Sequence, residues 1–115
     1  MTRRAHAPGA GDLIWTDFDL TRGREQAGRR PALVVSSAAF TENTGLAIVC
    51  PITSRVRPFP TSVVLPPGLP IAGEILTSRI RSIDTQARPI CYAGIAVSGE
   101  NARLVRVKLN NFITI

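Results

Sequence analysis

Short apolar segments separated by turn-forming residues constrain the fold of this chain more than any other feature. Each segment is about four to seven residues long, the usual length of a strand and too short for most helices. Proline and glycine separate them, and residues 66–70 contain three prolines and one glycine, which excludes regular structure there. The pattern therefore predicts a small antiparallel β-barrel. The predicted strands are residues 13–19, 32–35, 46–52, 62–65, 74–78, 80–83 and 90–95.

The C-terminal segment fits two alternatives. Ser98 could cap a helix with Glu100 near its positive end. Residues 104–109, however, also alternate between apolar and polar, as a strand would. A further helical turn is predicted at residues 36–40, followed by a turn at 42–45. If the C-terminal segment is a helix, its apolar stripe consists of Ala102, Val105, Leu109 and Phe112.

Length and charge limit the class of protein. A chain of 115 residues is most simply one domain. We expect residues 1–10, which are polar, to form a flexible arm, and residues 11–115 to form the domain. The formal charge of +6, from 14 basic and 8 acidic residues, suits a polyanionic partner, with nucleic acid ahead of anionic lipid.

Cysteine and histidine usage argues against a secreted or metal-binding protein. Cys50 and Cys91 lie far apart and form no CxxC pair, and His6 lies in the expected arm. The N-terminal residues have no apolar run, and no apolar segment is long enough to span a bilayer. We therefore expect a cytoplasmic protein with reduced, buried thiols, no membrane association, no metal and no cofactor.

A charged loop lies between the first two apolar segments. Residues 23–31 contain two glycines, three arginines and one carboxylate. Pro31 fixes its own φ and biases Arg30 toward an extended backbone, which predicts Arg30 at a rigid junction between loop and strand. On charge pattern alone, an ordinary solvated hairpin loop is an equally good interpretation.

The motifs along the chain resemble one family. They are residues 11–19, the loop residues 25–28 with Arg30 and Pro31, and residues 49–54, 63–65 and 81–84. Their order and spacing resemble the MazF/PemK family of endoribonuclease toxins from toxin–antitoxin pairs. The resemblance implies a mainly β (α+β) fold, an SH3-like barrel of the CcdB/MazF type with a C-terminal helix. It also implies a homodimer, a cognate antitoxin and sequence-specific cleavage of single-stranded RNA (mRNA) without metal.

The resemblance also assigns candidate site residues. RNA carries its own nucleophile, the 2′-OH, so the protein must accept its proton, stabilise phosphoryl charge and protonate the leaving 5′ oxygen. By motif position, Glu25 matches the family's loop glutamate, and Arg30 and Thr53 match its active-site arginine and threonine. The alternatives are that Glu25 pairs with a neighbouring arginine and that Thr53 satisfies a turn. The predicted RNA-binding residues are Arg24, Gln26, Arg55, Arg57, Phe59 and Arg81, with Phe59 as the stacking platform.

Some positions depart from the family pattern. Some relatives have histidine at Arg24 and aspartate at Ser78, and Leu20 replaces a common proline, so the identity of the general acid stays open. Two other functions also stay open, a protein-binding poison of the CcdB type that inhibits gyrase and an RNA-binding module that does not cleave.

Overall fold

The computed structural model describes residues 7–17 and 29–115, which form one antiparallel sheet and two helices. A single 3₁₀ turn, Thr77–Arg79, separates two of the strands. The strands are β1 Asp12–Asp17, β2 Arg29–Val34, β3 Leu46–Thr53, β4 Ser62–Val64, β5 Glu74–Leu76, β6 Arg81–Asp84 and β7 Ile90–Ala96, and the helices are α1 Ala38–Thr44 and α2 Gly99–Phe112.

Strand β3 organises the sheet. The hydrogen-bonded order is β4-β5-β3-β2-β1-β7, and β6 also pairs with β3. The first half of β3, Leu46 to Val49, pairs with β6, whereas its end, Ile52 and Thr53, pairs with β5. The path among the described strands stays open between β4 and β7. The predicted mainly β, antiparallel fold with a C-terminal helix is confirmed.

Both faces of the sheet are buried at the central strands β1 and β2, which explains the uninterrupted apolar run of β2. Leu13 and Leu33 pack on the face that also contacts Val105 of α2. Their neighbours Ile14 and Val34 point to the opposite face and form a second cluster. Because side chains alternate along a strand, a strand between two cores must be apolar at successive positions.

The helix interpretation of the C-terminal segment is correct. The Ser98 hydroxyl accepts the Asn101 N–H at 3.1 Å, which satisfies a free donor at the helix start. Val105 is buried, and Ala102 and Leu109 pack partly buried against the core. Phe112 remains 39% exposed, so the predicted apolar stripe ends one turn early.

Three local predictions were wrong in detail. Helix α1 runs on to Thr44, and Gly45 ends it with φ 78°, so the expected turn at 42–45 is the helix end. Strand β5 stops at Leu76 because the Thr77 hydroxyl bonds the Thr61 carbonyl and the chain enters the 3₁₀ turn. Cys91 is exposed, contrary to the expected burial, since β7 lies at the sheet edge.

Other expectations concern burial and the chain start. Cys50 is buried as expected, and this burial raises the pKa of its thiol to about 12. Pro8 is buried and the Gly9 N–H donates to the Asp12 carboxylate, whereas the rest of the expected arm, residues 1–6, lies outside the described residues. Within 7–17 and 29–115, no helix is long and apolar enough to cross a membrane.

Candidate functional site

An open groove of about 880 Å³ lies where β2, β3 and β5 meet the loop 54–61. It brings together every predicted site residue that the structure describes. The remaining candidates, Arg24, Glu25 and Gln26, lie outside the described residues. The predicted residues that line the groove are Arg30, Thr53, Arg55, Arg57, Phe59 and Arg81.

Arg30 is the second residue of β2 and pairs with Thr16 of β1 in the strand register. Its backbone is extended, in agreement with the restriction that Pro31 imposes on the preceding residue. The residue is exposed at the groove, while the backbone beneath it belongs to a central strand of the sheet. A guanidinium presented from such a support can bind two oxygens of one phosphate.

Thr53 is the last residue of β3 and pairs with Glu74. Its hydroxyl oxygen accepts the Arg55 N–H at 3.2 Å, so Thr53 does stabilise the turn that follows. The same contact leaves the hydroxyl hydrogen available to a ligand in the groove. The turn role and the phosphate-binding role are therefore compatible.

Gly73 allows β5 to approach the Thr53 peptide closely. Its φ is +139°, and an added Cβ would lie 2.9 Å from the Thr53 carbonyl carbon and closer still to the oxygen. No other residue type fits this position without a shift of one strand. Gly73 therefore helps to position Thr53 at the groove, because it lets the two backbones lie in close contact.

Three polar or charged lining residues of the described groove were not predicted as site residues. Ser78 and Arg79 reach the groove because the 3₁₀ turn replaces the end of the expected strand. Glu74 was missed because an isolated carboxylate at a strand start carries no local signal. The pKa of the Glu74 carboxyl is lowered by a hydrogen bond from the Ser62 hydroxyl and, to a smaller extent, by one from the Arg57 N–H.

The groove is strongly basic. Among the residues that the structure describes, five arginines line it against one carboxylate, that of Glu74. Phe59 is 61% exposed beside them, as a base-stacking platform requires. Within the part of the chain that the structure describes, no group of three or more His, Cys, Asp or Glu side chains could hold a metal ion. This combination suits a single-stranded polyanion with exposed bases.

Comparisons with known proteins identify the family. The family described as PemK-like, MazF-like toxin of type II toxin-antitoxin system matches residues 10–113. The endoribonuclease toxin MazF of Escherichia coli K12 is 39% identical over 94% of this chain and 96% of its own. The endoribonuclease toxin ChpB of the same strain is 35% identical over 75% of this chain and 78% of its own.

Solved structures give the same result. MazF of Deinococcus radiodurans superposes with a TM-score of 0.85 and 38% identity, covering 96% of this chain and 100% of that one. A MazE–MazF crystal structure from the same organism gives a TM-score of 0.84 and 35% identity, covering 96% and 99%. Matches of this extent in sequence and in fold establish that the chain belongs to the MazF/PemK family of type II toxin–antitoxin toxins.

Proposed function

We propose that this endoribonuclease toxin binds single-stranded mRNA in the arginine-lined groove and cleaves it at specific sequences without metal. The observation that carries the proposal is the convergence of Arg30 and Thr53 with the basic, aromatic loop 54–61 in one groove. Arginines bind the sugar–phosphate backbone whatever the sequence, and an exposed aromatic ring stacks on an unpaired base.

The proposed reaction is an internal transesterification. The 2′ oxygen attacks the neighbouring phosphorus while its proton passes to a base, for which Glu25 is the candidate. The bond from phosphorus to the 5′ oxygen breaks, and that oxygen takes up a proton, with Arg24 among the candidate donors. The products are a 2′,3′-cyclic phosphate and a free 5′-OH.

In this scheme Arg30 and Thr53 act on the phosphoryl group. The Arg30 guanidinium stabilises the charge that develops on the phosphoryl oxygens, and the Thr53 hydroxyl donates a hydrogen bond to one of them. RNA supplies the nucleophile and arginine supplies the positive charge, so the reaction requires no metal ion. Arg55, Arg57 and Arg81 hold the flanking phosphates.

We also propose the partners that the family implies. Two of the similar solved structures are a complex of MazF with MazE and a complex of a mycobacterial endoribonuclease with its cognate antitoxin. A cognate antitoxin with an acidic, disordered segment would suit this chain, whose charge is +6, by covering the groove. We propose a homodimer as the active form and the cytoplasm, where mRNA is translated, as its location.

The test is cleavage of a long single-stranded RNA by the purified protein in excess EDTA. We expect cleavage at the same rate as with Mg²⁺, and 5′ ends that polynucleotide kinase labels without prior phosphatase treatment. Arg30→Ala, purified in parallel, controls for contaminating nucleases. Cleavage only with Mg²⁺, or products with 5′-phosphates, would overturn the proposed chemistry.

A further inference from the structure

Glu74 is a buried carboxylate at a basic groove. One of its oxygens accepts a hydrogen bond from the loop 54–61, and the other accepts one from Ser62, the first residue of β4. The side chain is 1% exposed. Oε1 accepts the main-chain N–H of Arg57 at 2.7 Å, and Oε2 accepts the Ser62 hydroxyl. These contacts join positions 17 and 12 residues apart in sequence, so they fix the loop across the sheet.

The Ser62 hydroxyl extends this connection to the aromatic residue. Its oxygen accepts the Phe59 N–H at 3.2 Å and lies 3.1 Å from the Phe59 carbonyl oxygen. The Ser62 N–H donates to the same carbonyl at 3.0 Å, which closes a turn over residues 59–62. Helix α2 also contacts this turn, because the Lys108 ammonium donates to the Pro60 carbonyl at 2.7 Å.

We propose that Glu74 is a positioning residue that sets which RNA sequences are cleaved. Glu74 pairs with Thr53 in the strand register, so it connects the reacting end of the groove to the loop. Through its bonds to the Arg57 N–H and the Ser62 hydroxyl it holds the main chain from which the Arg57 and Phe59 side chains extend into the groove. The inference rests on the proposed RNA cleavage in this groove.

The negative charge of Glu74 opposes phosphate binding. Removal of the charge should therefore tighten RNA binding, whereas loss of the positioning contacts should weaken it, so the two effects can be told apart. In Glu74→Gln the amide oxygen can still accept from Arg57, and the amide nitrogen can donate to the Ser62 oxygen. The Ser62 hydroxyl hydrogen then turns to the Phe59 carbonyl, which is already within reach. Glutamine therefore keeps the loop and removes the charge, whereas alanine removes both acceptors.

The experiment uses a random-sequence single-stranded RNA pool, with cleavage sites mapped by sequencing the new 5′ ends and affinity measured on a fixed oligonucleotide. We expect Glu74→Ala to broaden the set of cleaved sequences and weaken binding about tenfold, within the range for loss of one stacked base. Glu74→Gln should keep the wild-type sequence preference and bind about two- to threefold more tightly, since one charge opposing the phosphates is gone. Glu100→Gln, at an exposed position of α2, is the charge-matched control and should leave both readouts unchanged.

The outcomes distinguish this inference from the proposed function. If the wild type cleaves RNA but Glu74→Ala retains its sequence preference and affinity, the positioning role is wrong and the nuclease function stands. If Glu74→Ala does not fold, as judged by circular dichroism, Ser62→Ala decides, because it removes the hydroxyl that joins Glu74 to Phe59 and keeps the bond from the Arg57 N–H to Glu74. Ser62→Ala should broaden the preference more mildly, and an unchanged preference would contradict the proposal.

Discussion

Replacing Gly73 by alanine tests how the fold positions Thr53. Two costs add up at this residue. A non-glycine residue held at such a positive φ costs about 1–3 kcal/mol. The new methyl group also overlaps the Thr53 peptide, and overpacking of this kind costs about 1–3 kcal/mol. We expect a loss of roughly 2–6 kcal/mol, which lowers Tm by about 8–24 °C at about 4 °C per kcal/mol.

Gly68→Ala is the matched control for this change. Gly68 also has a positive φ, +96°, but no atom of the described residues lies within 4 Å of an added Cβ. It should therefore incur only the backbone cost, about 1–3 kcal/mol. The difference between the two variants isolates the contact between β5 and the end of β3.

Activity provides the second readout. Relief of the overlap must move the Thr53 peptide or the start of β5, and a misplacement of about 1 Å can reduce the rate about 10²-fold. Single-turnover cleavage, measured below the lower Tm, should fall for Gly73→Ala and stay near the wild-type rate for Gly68→Ala. Equal stability and equal rates for the two variants would refute the argument that this glycine positions Thr53.

Three further predictions follow from the described contacts. If about three groove arginines contact phosphates, a plot of log affinity against log salt should have a slope of roughly −2, and a slope near zero would contradict backbone binding. At pH 8, an alkylating reagent should modify Cys91 in the folded protein and Cys50 only after unfolding. Burial raises the pKa of Cys50 from 9.0 to about 12. The contribution of the protonated Cys50 thiol to the free energy of unfolding is therefore complete below pH 9.0 and is lost as the pH rises toward 12. Ser98→Ala should lower the free energy of unfolding by about 1 kcal/mol in denaturant titration, because the Asn101 N–H loses its acceptor, and no change would exclude the cap.

Local patterns predicted most of the fold. Apolar alternation and turn residues placed the strands to within a few residues, because burial and turn formation depend on near neighbours in sequence. Pro31 likewise predicted the extended backbone at Arg30. The same local signals misjudged residues 42–45, since a Gly with positive φ ends a helix as readily as it forms a turn.

Features that depend on topology could not be predicted. The exposure of Cys91 follows from the edge position of β7, which no local pattern encodes. Glu74 acquires its partners from a loop distant in sequence, so its role emerges only when β5 is placed beside β3. Arg30 and Thr53 were selected through motif resemblance, and the sheet register explains why they lie in one groove.

Single-turnover cleavage and binding of one oligonucleotide by Arg30→Ala test most directly whether Arg30 acts on the scissile phosphate, as we propose. We predict a rate lower by about 10²–10³, the usual loss for one stabiliser of a developing oxyanion, with much less change in affinity. Arg103→Ala removes the same charge from an exposed position on α2 and should change neither quantity. Arg30→Lys should recover only part of the rate, because an ammonium cannot fork across two oxygens. Cleavage by Arg30→Ala at the wild-type rate would place the active site elsewhere and contradict the account.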